Sequence, residues 1–224
     1  MQKELKLSPK SLALYFECPL CFWLKKAKGI ERPSPYPFQL NLEVDAILKQ
    51  EFDSCRKQGS HPLLEANNIP AKLFSNQALL EEWRNINKGL RYYDKELKAT
   101  LFGLPDDILD FGNGKLAPFD YKSTGKSIPK IYDRFQLQMD VYTYLLEKNG
   151  YSTPRKAILA FYIVDKENPF EDKLPFRKEI HIIETDPSYI ENIFKEAVLF
   201  LKAKAPRKHS QECLFGQWLK KQAL

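Results

Sequence analysis

Between residues 98 and 124 the chain abandons helical periodicity and reads as extended. "KATLFG" and "DDILDF" read as strands, and "GNGK" at 112–115 is a turn whose glycines allow positive φ. "KLAPFDYKS" is the returning strand, although Pro118 argues for an edge position or a bulge. A hairpin of this kind cannot bury its apolar face alone. It needs further strands beside it and helices over it.

The flanking sequence offers both. "LSPKSLALYFECPLCFWLKKAKGI" opens with Ser8 as a helix N-cap and Pro9 at the first helical position, with Leu12, Tyr15 and Phe16 at helical spacing. The connector "RPSPYPF" breaks the pattern before a second amphipathic stretch, "LNLEVDAILKQEFDSCRKQG". "HPLLEANNIP" reads as loop, and "NQALLEEWRNINKGL" as helix. After the hairpin come a strong helix, "IYDRFQLQMDVYTYLLEKNG", two strands, "KAILAFYIVD" and "FRKEIHIIET", and a closing helix, "DPSYIENIFKEAVLFLKAK". This order predicts an α/β fold with a mixed β-sheet flanked by helices and a helical N-terminal segment.

Apolar residues make up 43% of the chain, enough for a substantial core. The net charge of +6 suits a polyanionic partner. From 201 to 224 six Lys or Arg face a single Glu, which fits either phosphate contacts or an ordinary solvated surface. No apolar run approaches the ~20 residues of a membrane span, and the N-terminus lacks a signal-peptide core. The expectation is a soluble, cytoplasmic protein with no membrane contact, whose cysteines stay reduced and are free to bind metal.

The hairpin carries more acid than a turn requires. Residues two apart on a strand share a face, so Asp120 and Lys122 point together, and Tyr121 presents its carbonyl between them. Asp106 heads the partner strand, within reach of Asp120. Converging carboxylates repel unless a cation separates them. Oxygen ligands without histidine suit Mg²⁺ or Mn²⁺, and an adjacent ammonium can orient water or stabilise charge on a phosphate. The competing reading is turn acids with an exposed cross-strand pair.

"GLPDDIL" followed by "FDYKST" resembles the G-x-x-D…D-Y-K core of the PD-(D/E)XK nuclease superfamily, most closely the RecB-like branch that includes CRISPR-associated exonucleases. The resemblance implies a restriction-endonuclease-like core in which Asp106 and Asp120 hold the metal, with the Tyr121 carbonyl, and Lys122 is the catalytic lysine. "QMDVY" resembles the branch's Q-x-x-x-Y signature, which implies that Gln138 and Tyr142 touch nucleic acid from one helical face. Members often carry a histidine ligand on the helix before the hairpin. Asp45 stands at the corresponding place here, with Glu43 and Glu51 as alternatives on the same helix.

"LSPKSLALYFECPLCFWL" also resembles the branch's opening helix with its Cys-Pro. Relatives tie their termini together through an iron-sulfur cluster or zinc. Here Cys18, Cys21 and Cys213 are present, but Gly216 stands where a closing C-x-x-C would place the fourth cysteine. His209 could complete a Cys₃His zinc site, with Cys55 a distant alternative. The other reading is a metal-free remnant.

The chain therefore reads as one nuclease domain: a mostly helical part over 1–97, an αβ core over 98–204 and a basic tail over 205–224. The implied function is a Mg²⁺- or Mn²⁺-dependent deoxyribonuclease, an exonuclease acting on single strands or ends, in DNA repair or recombination. A helicase or an integrase-type protein are both open as partners. The alternative is a catalytically silent, nucleic-acid-binding subunit of the same fold.

Overall fold

The computed structural model describes residues 4–33, 39–126, 131–169, 171–204, 206 and 208–222. Most of the Pro-rich connector (34–38) and Arg207 of the basic tail lie outside them. The chain divides into two compact units, Met1–Pro37, Tyr92–Phe102 and Ser188–Leu224 forming one, Phe38–Arg91 and Gly103–Pro187 the other.

The first unit begins with a short strand, β1 (Leu5–Leu7), then helix α1 (Pro9–Glu17). Ser8 caps α1 as expected, its hydroxyl accepting from the Ser11 N–H. Pro19 cannot continue that helix and instead opens α2 (Pro19–Trp23), which leaves Cys18 at the joint between the two. A π-helical turn, Leu24–Lys28, ends at Gly29 in the left-handed conformation. Leu12 is buried, but Phe16 is 54% exposed, so the apolar face of α1 is narrower than its spacing suggests. Later in the chain come α7 (Ile190–Lys202), against which Tyr15 packs through Phe200 (centroids 5.3 Å apart), and α8 (Leu214–Gln222), where only a basic tail was expected.

The second unit starts with α3 (Gln39–Arg56) and a short α4 (Pro62–Ala66), the latter inside the stretch that reads as loop. His61 nucleates it by accepting the Leu63 N–H. Then follow β2 (Lys72–Leu73) and α5 (Gln77–Arg84), after which the chain returns to the first unit for most of β3 (Leu90–Asp94) and β4 (Ala99–Gly103). The hairpin is β5 (Asp107–Asp110) and β6 (Leu116–Thr124), and α6 (Asp133–Lys148), β7 (Lys156–Val164) and β8 (Phe176–Glu184) complete the core.

The strands form two mixed sheets, ordered β1-β4-β3 and β2-β5-β6-β7-β8. β6 is therefore central, antiparallel to β5 and parallel to β7 across the α6 crossover. Pro118 does not mark an edge strand. It pairs with Ile108 of β5, and the β7 register begins one residue later, at Phe119 opposite Ile158, so the missing N–H falls before that ladder starts.

Strand alternation sorts the side chains between two helices. Phe119 and Tyr121 of β6, with Ile158, Ala160 and Tyr162 of β7, pack against Leu48 and Phe52 of α3. Leu159, Phe161 and Ile163 turn to the other face and meet Met139 and Tyr142 of α6. The sheet is thus sandwiched between α3 and α6, and Asp120 and Lys122 project on the α6 side.

Candidate active site and metal centre

Asp120 is 1% exposed on the central strand. Its Oδ2 is ion-paired with the Lys122 ammonium, and its Oδ1 accepts from Gln138 Nε2 at 3.1 Å. Burial, with the Asp106 charge beside it, pushes this carboxyl up to about 7 despite the lysine. A carboxylate so disfavoured as an anion is one that a further cation would relieve. Lys122 also lies over the Phe135 ring, 5.2 Å from its centroid, which fixes the ammonium's direction.

Asp106 precedes β5. Its Oδ2 accepts from the Tyr121 N–H at 3.3 Å, and its Oδ1 is 3.0 Å from Lys49 Nζ. A strand residue's N–H and C=O face the same side, so the Tyr121 carbonyl is turned toward Asp106. The Tyr121 ring points the opposite way, under α3. Asp45, with a side chain 37% exposed, is joined to this group through Lys49, whose Nζ lies 2.7 Å from Asp45 Oδ2. Asp45, Asp106, Asp120, Tyr121 and Lys122 are therefore brought close to one another. Lys49 was not anticipated, although its spacing of four from Asp45 on one helix was a readable signal. Of the alternatives on α3, Glu51 pairs instead with His61 Nε2 at 2.9 Å, and Glu43 is exposed.

Gln138 and Tyr142 stand differently from their expected place at a nucleic-acid surface. The Tyr142 ring is 4% exposed. Its hydroxyl accepts from Gln138 Nε2 at 2.9 Å and donates to the Leu104 carbonyl at 2.9 Å. Both residues brace the site from below: Gln138 holds Asp120, and Tyr142 holds the backbone leading to Asp106.

Asp107, adjacent to Asp106, belongs to another network. It is 0% exposed, and its Oδ2 accepts from Arg56 (2.7 Å), the Tyr121 hydroxyl (2.7 Å) and Arg84 (3.4 Å). Arg84 also grips Asp53 through both its oxygens, and its Nε donates to the Asp106 carbonyl at 2.7 Å. This buried group clamps the start of β5 and so aims Asp106. No sequence pattern announced it, because its members are scattered over 53–121.

In the first unit, Cys18, Cys21, His209 and Cys213 present ligand atoms all within 4.8 Å of one another. His209 Nδ1 is 3.5 Å from Cys18 Sγ, 3.3 Å from Cys21 Sγ and 3.7 Å from Cys213 Sγ, and the last two sulfurs are 3.7 Å apart. Zinc–sulfur bonds of about 2.3 Å in a tetrahedron imply sulfur–sulfur edges of roughly 3.8 Å. The donors fit one tetrahedral ion. Arg32 (3.3 Å) and the Gly216 N–H (3.4 Å) donate to Cys213 Sγ, the outer support that metal thiolates receive. The thiols titrate apart. Burial would raise Cys18, but N–H groups of Cys21 and Ser210, with His209, bring it down to about 6. Burial pushes Cys21 up to about 12 even with Arg32 beside it. Cys55 sits elsewhere, packed on the apolar cluster under α3.

Gly216 has a reason beyond a missing cysteine. A Cβ there would lie 2.5 Å from His209 Cβ. The glycine makes the room that the histidine ring fills.

A mixed sheet between two helices, with two aspartates and a lysine gathered at its central hairpin, defines a nuclease-type core. The model of the PD-(D/E)XK nuclease superfamily matches residues 6–218, and the chain belongs to that superfamily. Among solved structures, the crystal structure of SSO0001 is similar at 14% identity and a TM-score of 0.46, covering 92% of this chain and 81% of that one. An alkaline exonuclease (LHK-Exo) from Laribacter hongkongensis is similar at 13% identity and a TM-score of 0.43, covering 97% and 93%. The same exonuclease in complex with dAMP gives 15% identity and the same TM-score of 0.43. No curated protein matches. Among the described residues, no helix is long and apolar enough to cross a membrane.

Proposed function

We propose that this protein is a divalent-metal-dependent deoxyribonuclease of the RecB-like branch. Asp45, Asp106, Asp120 and the Tyr121 carbonyl would hold Mg²⁺ or Mn²⁺, whose chemistry there is to acidify water and neutralise phosphate charge. The observation that carries this reading is the buried Asp120 carboxyl, raised by burial and by Asp106, with an ammonium against it. All the donors are oxygens, which suits a hard cation.

Lys122 presents a fixed ammonium at the carboxylates, where it orients water and offsets charge developing on the phosphate. Gln138 keeps Asp120 Oδ1 engaged, leaving Oδ2 turned to the site. Tyr142 and Arg84 set the path of the backbone at 104–106, and with it the position of Asp106. DNA is the substrate we assign. The net charge of +6 supplies sequence-independent attraction for its phosphates, and ends or single strands are the expected targets. A role in repair or recombination beside a helicase or an integrase-type protein would follow from the branch.

For the Cys/His cluster we assign a single structural Zn²⁺ held by Cys18, Cys21, His209 and Cys213. Donors in mutual contact suit one ion, whereas an iron-sulfur cluster sets its ligands apart around a polynuclear core.

Labelled single- and double-stranded DNA, incubated with Mg²⁺, Mn²⁺ or EDTA, tests the assignment. Cleavage that needs either ion supports it. Tight DNA binding without cleavage under any of these conditions would favour the silent subunit.

A further inference from the structure

Lys49 is the charged side chain at the candidate site for which the nuclease chemistry has no assigned use. It sits on α3 one turn after Asp45, and the neighbouring Leu48 and Phe52 are buried, so the helix is anchored against the sheet. Its Nζ lies between Asp45 Oδ2 (2.7 Å) and Asp106 Oδ1 (3.0 Å). These two acids come from different elements, the helix and the hairpin, and nothing in local sequence holds them together. Uncompensated, they would push α3 and the hairpin apart.

We propose that Lys49 is a tethered counter-ion, a positioning residue that holds Asp45 and Asp106 in register and must leave when a divalent cation takes their oxygens. The proposal rests on the assignment of those acids as metal ligands. An ammonium and a divalent ion cannot both sit between the same two carboxylates. Lysine suits the exchange because its charge rides on a flexible four-carbon stem and makes no bidentate fork. The metal-free site therefore keeps its shape, and the divalent ion must compete with a built-in cation for entry. Lys49 thus sets the ion concentration at which the site fills. Lys122, fixed over Phe135, is held by a different acid and stays in place through the exchange.

The test is calorimetric titration of the full chain with Mg²⁺, a hard cation that avoids thiolates. Wild type is compared with Lys49→Met, Lys49→Gln and Lys49→Arg, and each melting temperature is read with and without the ion. Lys49→Met and Lys49→Gln should bind Mg²⁺ about five- to tenfold tighter, the scale of a part-buried ion pair shared by two acids. Both should melt below wild type without Mg²⁺, and that gap should close at saturation. Lys49→Arg should hold the metal-free melting temperature near wild type. Equal or weaker Mg²⁺ binding by both neutral variants overturns the proposal while leaving the metal site standing. If wild type and all variants bind no Mg²⁺, the assignment of the acids fails and the proposal falls with it.

Discussion

Gly103 and Tyr142 fit each other without room for a methyl group: a Cβ on Gly103 would lie 2.5 Å from Tyr142 Cε1 and 2.6 Å from its Cδ1. The glycine of one motif is thus the seat for the tyrosine of another, 39 positions further along the sequence. Tyr142 then reaches the Leu104 carbonyl and fixes the approach to Asp106.

Gly103→Ala should accordingly cost about 1–3 kcal/mol, the range for overpacking a filled core. Tyr142→Phe keeps the ring and loses only the hydroxyl's bonds, about 1 kcal/mol. Thermal melts should rank them in that order, with activity falling further in Gly103→Ala because Asp106 is displaced. A Gly103→Ala protein as stable and active as wild type would show that the contact is slack.

The neighbouring aspartates should separate cleanly on substitution. Asp107→Ala removes a fully buried acceptor from Arg56, Arg84 and the Tyr121 hydroxyl, a loss of about 3 kcal/mol, the low end for a broken buried pair because both arginines keep Asp53. Asp106→Ala removes a partly exposed acid and should leave the protein folded, with a melting temperature near that of wild type. Denaturant midpoints measured side by side decide it. Similar losses of stability in both would mean the two acids share one structural role.

Much of this arrangement was legible in the sequence. Strand alternation placed Asp120 with Lys122 and turned Tyr121 away, and the turn glycines at 112 and 114 do take positive φ. Ser8 and Pro9 announced α1 because a cap is a local event. What the sequence hid was long-range. β1 and β2 are three and two residues long, too short to show a period, and exist through pairing with β4 and β5. The burial of Tyr142 depends on the space above Gly103, and the Arg56–Asp107 pair spans 51 positions. Periodicity cannot report either.

The His209–Gly216 contact makes a sharp claim about the cysteine cluster. Purified protein should carry about one zinc per chain, and chelation should lower its melting temperature, since ligand binding is folding free energy there. Gly216→Ala should push His209 out of place and loosen the ion about 10- to 100-fold, the scale for disturbing a ligand's support. Zinc content after dialysis against a graded chelator reads this directly. Undiminished zinc retention in Gly216→Ala would contradict the contact, and iron in place of zinc would overturn the assigned metal.

The acid pair and its lysine carry the whole account, and metal-dependent DNA hydrolysis by substituted proteins tests them most directly. Wild type, Asp106→Ala, Asp120→Ala and Lys122→Ala are assayed on labelled DNA across a Mg²⁺ and Mn²⁺ titration, with Asp45→Ala beside them. The three site variants should each lose about 100-fold or more in turnover, the cost of removing a group that stabilises charge in the transition state. Lys122→Ala should still bind the ion, and Asp45→Ala should need more of it. If Asp106→Ala, Asp120→Ala and Lys122→Ala all cleave as fast as wild type, the hairpin is not the active site.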